Sequence, residues 1–301
     1  MSLLIRISLA AVCLCVALQA SAREIALTFD DAPQTDTQIM TGAERTDKLI
    51  KVLKDAKVPD ALFFVTTKNI TEQNKHRLTQ YTQAGFHLAN HSHSHSSAAK
   101  LGVNDYLSDA YKAHLILKDF DNRLPYHRFP YLNYGADASA IEALQAGLGE
   151  LGYKDGYVTV DNFDWAINGI LVKAAEEKKT IDYAKASLLY VDTLEQAIEF
   201  YDALAQKTLK RSPKHILLLH ENDAAALFLP DLIARLRSKG WKIISPQDAY
   251  KDSIAKQKVF HKQGRVAAIA ASKGVAEVEL RHESENMEYL ETLFKERKVF
   301  D

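Results

Sequence analysis

The sequence predicts an α/β protein, a parallel sheet covered by helices and either open or closed into a barrel, and three observations predict it. Seven short apolar runs rich in β-branched and aromatic residues recur along the chain, as buried strands do. Longer stretches of helical periodicity separate them, and strand alternating with helix is the order of parallel βαβ units. Five of the runs give way abruptly to ionisable or ring-bearing residues. In a parallel α/β fold the carboxyl ends of the strands share one rim, so those residues would converge there.

The first 22 residues precede this pattern. Arg6, an apolar core from Leu9 to Leu18 and the small residues Ala20, Ser21 and Ala22 read as a cleavable export signal rather than a membrane span. The chain is therefore expected to be periplasmic or secreted and to start near Arg23. Both cysteines, Cys13 and Cys15, lie inside the removed segment, so the 279 residues that follow must be held by their core alone. That length suits one large domain. Without Arg6, 37 basic residues face 39 acidic ones. No global field then draws the protein to nucleic acid or anionic lipid, and a small or neutral partner is expected. No later apolar run approaches membrane-spanning length.

In order, the strand candidates are IALTFD (25–30), ALFFV (61–65), FHLAN (86–90), HRFPY (127–131), GYVTV (156–160), HILLLH (215–220) and WKIIS (241–245). Amphipathic helices are expected between them at 45–56, 104–120 and 229–240, the last closing on Gly240. The interval 166–213 is too long for one connection and is strongly helical over 194–209, which predicts an inserted helical segment on the same domain. Beyond Ser245 the chain continues through GRVAAIAAS (264–272), strand or helix, and a charged helix over 284–298. No Pro/Gly/Ser-rich linker intervenes, so this is expected to be an extension, not a second domain.

The polar residues at the strand ends carry the chemistry. Asp30 and Asp31 are adjacent, and alternating strand side chains would send them to different environments and different tasks; a turn or a helix cap is the plainer use of such a pair. In NHSHSH the periodicity decides what can chelate. On a strand, His91, His93 and His95 share a face; on a helix only His91 and His95 do. A helical turn started by the Ser-rich run would pair His91 with His95, a recurrent Zn²⁺-binding spacing, whereas a solvated loop would bind nothing. With one carboxylate the pair makes a His₂Asp set with open positions, the pattern of a catalytic zinc. Arg128 could hold a carboxylate ionised and oriented. His220 emerges from the apolar ILLL run at the rim, and Asp164 and Trp165 could supply an orienting carboxylate and a flat apolar wall.

Taken together and in this order, TFDD, HSHSH, RFPY, DNFDW and LLLH resemble the motif series of the NodB-homology polysaccharide deacetylases, carbohydrate esterase family 4, over roughly residues 24–250. The resemblance implies a distorted (β/α) barrel of seven strands, here with the inserted helical segment and a C-terminal extension, 251–301, packed on a barrel of residues 23–250. It implies a divalent metal, Zn²⁺ ahead of Co²⁺ or Ni²⁺, held by Asp31, His91 and His95, with His93 spare. Asp30 would be the general base toward the attacking water, oriented by Arg128. The Tyr131 backbone N–H would stabilise the oxyanion, and His220, aligned by Asp164, would protonate the departing amine. Trp165, with Tyr131, would wall the acetyl pocket. The implied activity removes N-acetyl groups from an N-acetylglucosamine-containing glycan and releases acetate. Its alternatives are an O-deacetylase or esterase and a non-catalytic carbohydrate-binding barrel. The sequence departs from the family pattern at Ala32, where glycine usually follows TFDD, and at HEN (220–222), which stands for the commoner His-Asp.

Overall fold

The computed structural model of the protein describes residues 23–257, 259 and 263–301. The expected export signal, 1–22, lies outside the described residues. Seven strands form one sheet: β1 (Glu24–Ala32), β2 (Leu62–Val65), β3 (His87–Asn90), β4 (Arg123–His127), β5 (Lys154–Asp155), β6 (His215–His220) and β7 (Lys242–Ile243). The order is β5-β4-β3-β2-β1-β6 and every pairing is parallel. β7 pairs with Glu24 and Ile25 at the foot of β1, below Thr28, where β2 comes alongside. The sheet curls into a half-barrel wrapped by helices, which is the distorted (β/α) barrel expected. Among the described residues, no helix is long and apolar enough to cross a membrane.

β1 and β6 are apolar because helices cover the sheet outside and side chains fill it inside, so Ile25, Leu27, Phe29, Leu217 and Leu219 all lose their solvent exposure. Leu219→Ala should therefore cost about 2–5 kcal/mol. Chemical denaturation would show it as a lower midpoint at unchanged slope; a shift under about 1 kcal/mol would mean that the site collapses around the smaller side chain.

Two strand expectations are corrected. HRFPY follows a strand instead of forming one: β4 ends at His127, and Pro130, lacking an N–H, starts a 3₁₀ turn in which Tyr131 and Leu132 take φ of 59° and 49°. GYVTV is not a regular strand either. Only Val160 makes a bridge, to Leu217, and the N–H groups of Thr159 and Val160 both reach the Ile216 carbonyl. One acceptor shared by consecutive donors breaks the ladder, so 156–160 crosses irregularly from β5 toward β6 on the open side of the barrel.

The helices begin earlier than their apolar periodicity suggests because polar caps start them. Thr41 and Glu44 form a reciprocal capping box at the head of helix Gly42–Asp55. Asn222 caps helix Asp223–Ser238, which holds Pro230 inside it. The 166–213 interval is filled by two helices, Asp164–Glu176 and Tyr183–Leu209. In the C-terminal segment, 264–272 resolves to helix Arg265–Ser272, followed by helix Met287–Glu296, whose Leu290 and Phe294 are buried. Both pack against helix Tyr183–Leu209.

Candidate active site

Asp30 and His220 are register partners on the adjacent parallel strands β1 and β6, so their side chains leave the sheet on the same face. Asp31 would alternate away, but its φ of 66° breaks the strand pattern, and both aspartates line one pocket of about 400 Å³ at the carboxyl rim. His91, His95, Tyr131, Trp165 and His220 line it too.

The histidines arrive by a route the sequence reading did not anticipate. Residues 91–97 form a loop, not a helical turn, and the next helix begins at Ala98. Short polar side chains replace the helical hydrogen bonds. Asn90 Oδ1 accepts from Ser92 N–H, Ser92 Oγ from His95 N–H, and the Asp109 carboxylate from the N–H groups of His93 and Ser94. Ser92 and His95 both adopt positive φ. The loop still brings His91 and His95 together, ring centroids 5.1 Å apart, and turns His93 away onto the Thr67 hydroxyl at 2.9 Å.

Asp31, His91 and His95 offer one ligand atom each within 4.8 Å of one another. His95 Nε2 lies 3.1 Å and His91 Nε2 3.8 Å from Asp31 Oδ1. Ligands about 2.0–2.1 Å from a tetrahedral cation sit roughly 3.3 Å apart, so the donors fit with little movement. The chemistry fits as well. His91 Nδ1 lies 2.9 Å from the Arg128 carbonyl, which holds the ring with Nε2 toward the pocket. Burial and the neighbouring His91 depress His95 to about 4 despite the pull of Asp31 and Asp30, which keeps its imidazole neutral and able to ligate. Burial raises the Asp31 carboxyl, but His91, His220, His95 and the Thr66 hydroxyl together hold it below the usual range.

Behind the cluster Asp30 is buried and accepts from Arg128 Nη1 at 2.5 Å. Arg128 is fixed on every side: Nε donates to the Gly156 carbonyl, Nη2 to the Tyr250 hydroxyl, and its plane stacks 3.9 Å from the Phe64 ring centre. Opposite, His220 Nδ1 lies 2.7 Å from Asp164 Oδ1, and Asp164 Oδ2 accepts the His220 backbone N–H. Burial would lower the imidazole, but Asp164, Asp31 and Asp30 outweigh it and push it up to about 9. Trp165 and Tyr131 are exposed at the rim.

Sequence reasoning missed the groups that brace these residues. Glu221, fully buried, accepts from Arg77 at 2.6 Å, Tyr81 at 2.8 Å and the Gln34 backbone at 2.7 Å. Asp223 pairs with buried Arg45, which also donates to the Gln34 and Thr35 carbonyls. These pairs lock the loop after β1 to the turn after β6, so Glu221, one of the departures from the family pattern, ties the strand end bearing Asp30 to the one bearing His220. Arg77 and Arg45 sit inside amphipathic helices and give no sign of this in the sequence. Asp161, Phe163 and Arg281 also line the pocket and were not singled out.

Asp30, His220 and the Asp31–His91–His95 cluster thus face one cleft. Residues 17–149 match the family described as polysaccharide deacetylase. No curated protein matches the chain. Among solved structures, the chain is similar to a family 4 carbohydrate esterase from Streptomyces lividans in complex with acetate, at 20% identity and a TM-score of 0.51, covering 75% of this chain and 95% of that one. It is similar to a variant of the peptidoglycan deacetylase PdaC from Bacillus subtilis, at 19% identity and TM-score 0.52, covering 78% and 93%. It is also similar to a family 4 pseudoenzyme from Bacillus anthracis, at 17% identity and TM-score 0.52, covering 76% and 66%. Likeness at this identity speaks to the fold. With the family match over 133 of the chain's 301 residues, it makes the chain similar to the polysaccharide deacetylases of carbohydrate esterase family 4.

Proposed function

We propose that the protein is an active, divalent-metal-dependent hydrolase that removes N-acetyl groups from N-acetylglucosamine-containing glycan of peptidoglycan or chitin type, after export to the periplasm or beyond. The observation that carries this reading is one pocket holding the Asp31–His91–His95 cluster together with Asp30 and His220. Residues 23–250 serve as the catalytic barrel and 251–301 as its extension.

A divalent cation, Zn²⁺ ahead of Co²⁺ or Ni²⁺, held by Asp31, His91 and His95 supplies Lewis acidity. Asp30, aimed by Arg128, takes a proton from the attacking water as the water oxygen bonds to the acetamide carbon. The Tyr131 backbone N–H helps stabilise the oxyanion. The C–N bond then breaks as His220 gives its proton to the nitrogen, leaving acetate and a free amine. Amide cleavage needs that proton because an amide anion is a poor leaving group. The Asp164-held imidazole, charged at neutral pH, supports an acid role. Trp165 walls the acetyl group.

The test is acetate release by residues 23–301 from peptidoglycan, chitin oligomers, acetylxylan and aryl acetates, with and without added metal. Release from N-acetylated glycans supports the reading. Release from O-acetyl substrates alone would make the protein an esterase, and none from any substrate would make it a binding barrel.

The pH profile tests the acid. His220 is the acid only while protonated, a state present below about 9 and lost as the pH rises through that value, so kcat/KM should fall on the alkaline side there. Asp164→Asn removes the charge that offsets burial, and the alkaline limb should move to lower pH. An unmoved limb would assign it to another group.

A further inference from the structure

The C-terminal segment, expected to lie outside the catalytic barrel, reaches the pocket. Leu280 and Ser284 are buried, and Glu285 accepts from the Tyr201 hydroxyl at 2.6 Å and from the His282 backbone at 3.2 Å. The His282 ring packs 5.6 Å from Phe200. These contacts clamp the turn 280–285 onto helix Tyr183–Leu209 and bring Arg281 to the pocket wall beside Asp161, Phe163 and Trp165.

Arg281 is poorly satisfied there. Its side chain is 46% exposed, and its nearest acid is Glu285 at a long 3.8 Å. Among the described residues no hydrogen bond engages its guanidinium, whose planar fork of five N–H donors is suited to paired acceptors. Asp161, lining the same pocket, accepts among the described residues only the N–H of its own neighbour, Asn162. Burial pushes the Asp161 carboxyl up to about 6, and the backbone N–H of Asn162, Arg281 and His220 pull against that rise. Two acids, Asp161 and Glu285, flank the Arg281 guanidinium, so the local charge does not favour an anion, and a neutral polar ligand suits the site better. Phe163 and Trp165, ring centres 4.9 Å apart, add an aromatic wall, and Trp165 is exposed. A pyranose has this mixed character, with C–H faces and hydroxyl edges.

We propose that the C-terminal segment completes a sugar subsite, in which Arg281 donates to hydroxyl oxygens of the glycan and Asp161 accepts from its hydroxyl groups against the Trp165 ring. Arg281 is thus a specificity-determining residue that separates a sugar-borne acetyl group from a small acetyl ester. This rests on the deacetylase reading above, and the two can fail separately.

The test compares the zinc-loaded full chain with Arg281→Ala and Arg281→Lys on an N-acetylglucosamine oligomer and on an aryl acetate, which carries no sugar hydroxyls. The glycan-to-aryl-acetate ratio of kcat/KM should fall roughly tenfold in Arg281→Ala, mainly through KM on the glycan, and recover in part in Arg281→Lys. An equal fall on both substrates, or no fall, would overturn the subsite. Calorimetric titration with the oligomer reads the same contact without turnover, and Arg281→Ala should weaken binding by a similar factor. If the wild type binds the oligomer but releases no acetate from any glycan, the deacetylase reading fails and the subsite stands or falls on that titration. If the wild type neither binds nor turns over the oligomer, both fail.

Discussion

Asp30→Asn is expected to lower kcat for acetate release by roughly 10²–10⁴-fold, the range for losing a general base, with the fold intact. Asparagine keeps the shape of the side chain, and its amide oxygen can still accept from Arg128, but it cannot take a proton. Asp30→Ala is a poorer test. Arg128 is buried, and removing its 2.5 Å partner would strand a charge in the interior, a loss of about 3–5 kcal/mol. Turnover measured beside circular dichroism and thermal melting separates the two effects. A kcat near wild type in Asp30→Asn would remove Asp30 from the mechanism.

The second large effect concerns the cation. Chelation should reduce acetate release to background, and added Zn²⁺ should restore it. His91→Ala or Asp31→Ala should weaken metal affinity by more than the roughly 10–100-fold that loss of an outer supporting group costs. Thr66, whose hydroxyl donates to Asp31 Oδ1 at 3.0 Å, is such a supporting group, so Thr66→Val should fall within that range. His93→Ala is the internal control, because its ring faces Thr67 and should leave affinity unchanged. Turnover equal before and after chelation would refute the metal mechanism, and a loss in His93→Ala matching that in His91→Ala would refute the ligand assignment.

The rim of the barrel was more legible than its walls. β1, β2, β3 and β6 announce themselves as apolar runs that end in polar residues, because burial on both faces allows nothing else. Asp30, Asp31, His91, His95 and His220 follow from the ends of β1, β3 and β6, whereas Arg128 lies in HRFPY and Asp164 follows GYVTV, the two runs that are not regular strands, and the structure brings all seven together. HRFPY misled because its aromatic residues imitate a strand, while the proline and the left-handed Tyr131 and Leu132 act through backbone geometry that composition does not display. The histidine loop misled for the opposite reason: i and i+4 spacing suggests a helix, yet Asn90, Ser92 and Asp109 shape the backbone by side-chain hydrogen bonds. Arg281 was invisible because nothing local marks it, and only the packing of residues 280–285 on a distant helix puts it near Asp161. The buried pairs Arg77–Glu221 and Arg45–Asp223 were hidden likewise, since a charged residue in an amphipathic helix is ordinarily on its solvated side.

β1 holds both aspartates, and it borders β2 nearby in sequence but β6 far downstream; the Thr28 hydroxyl donates to the Leu217 carbonyl across 189 residues. Such distant neighbours meet late, since the entropy of closing so long a stretch must be overcome first. During synthesis or refolding, the segment bearing the two acids must wait with one edge bare until most of the polypeptide has emerged. Recovery of turnover should therefore lag recovery of helical signal, and no shorter N-terminal piece should ever work alone.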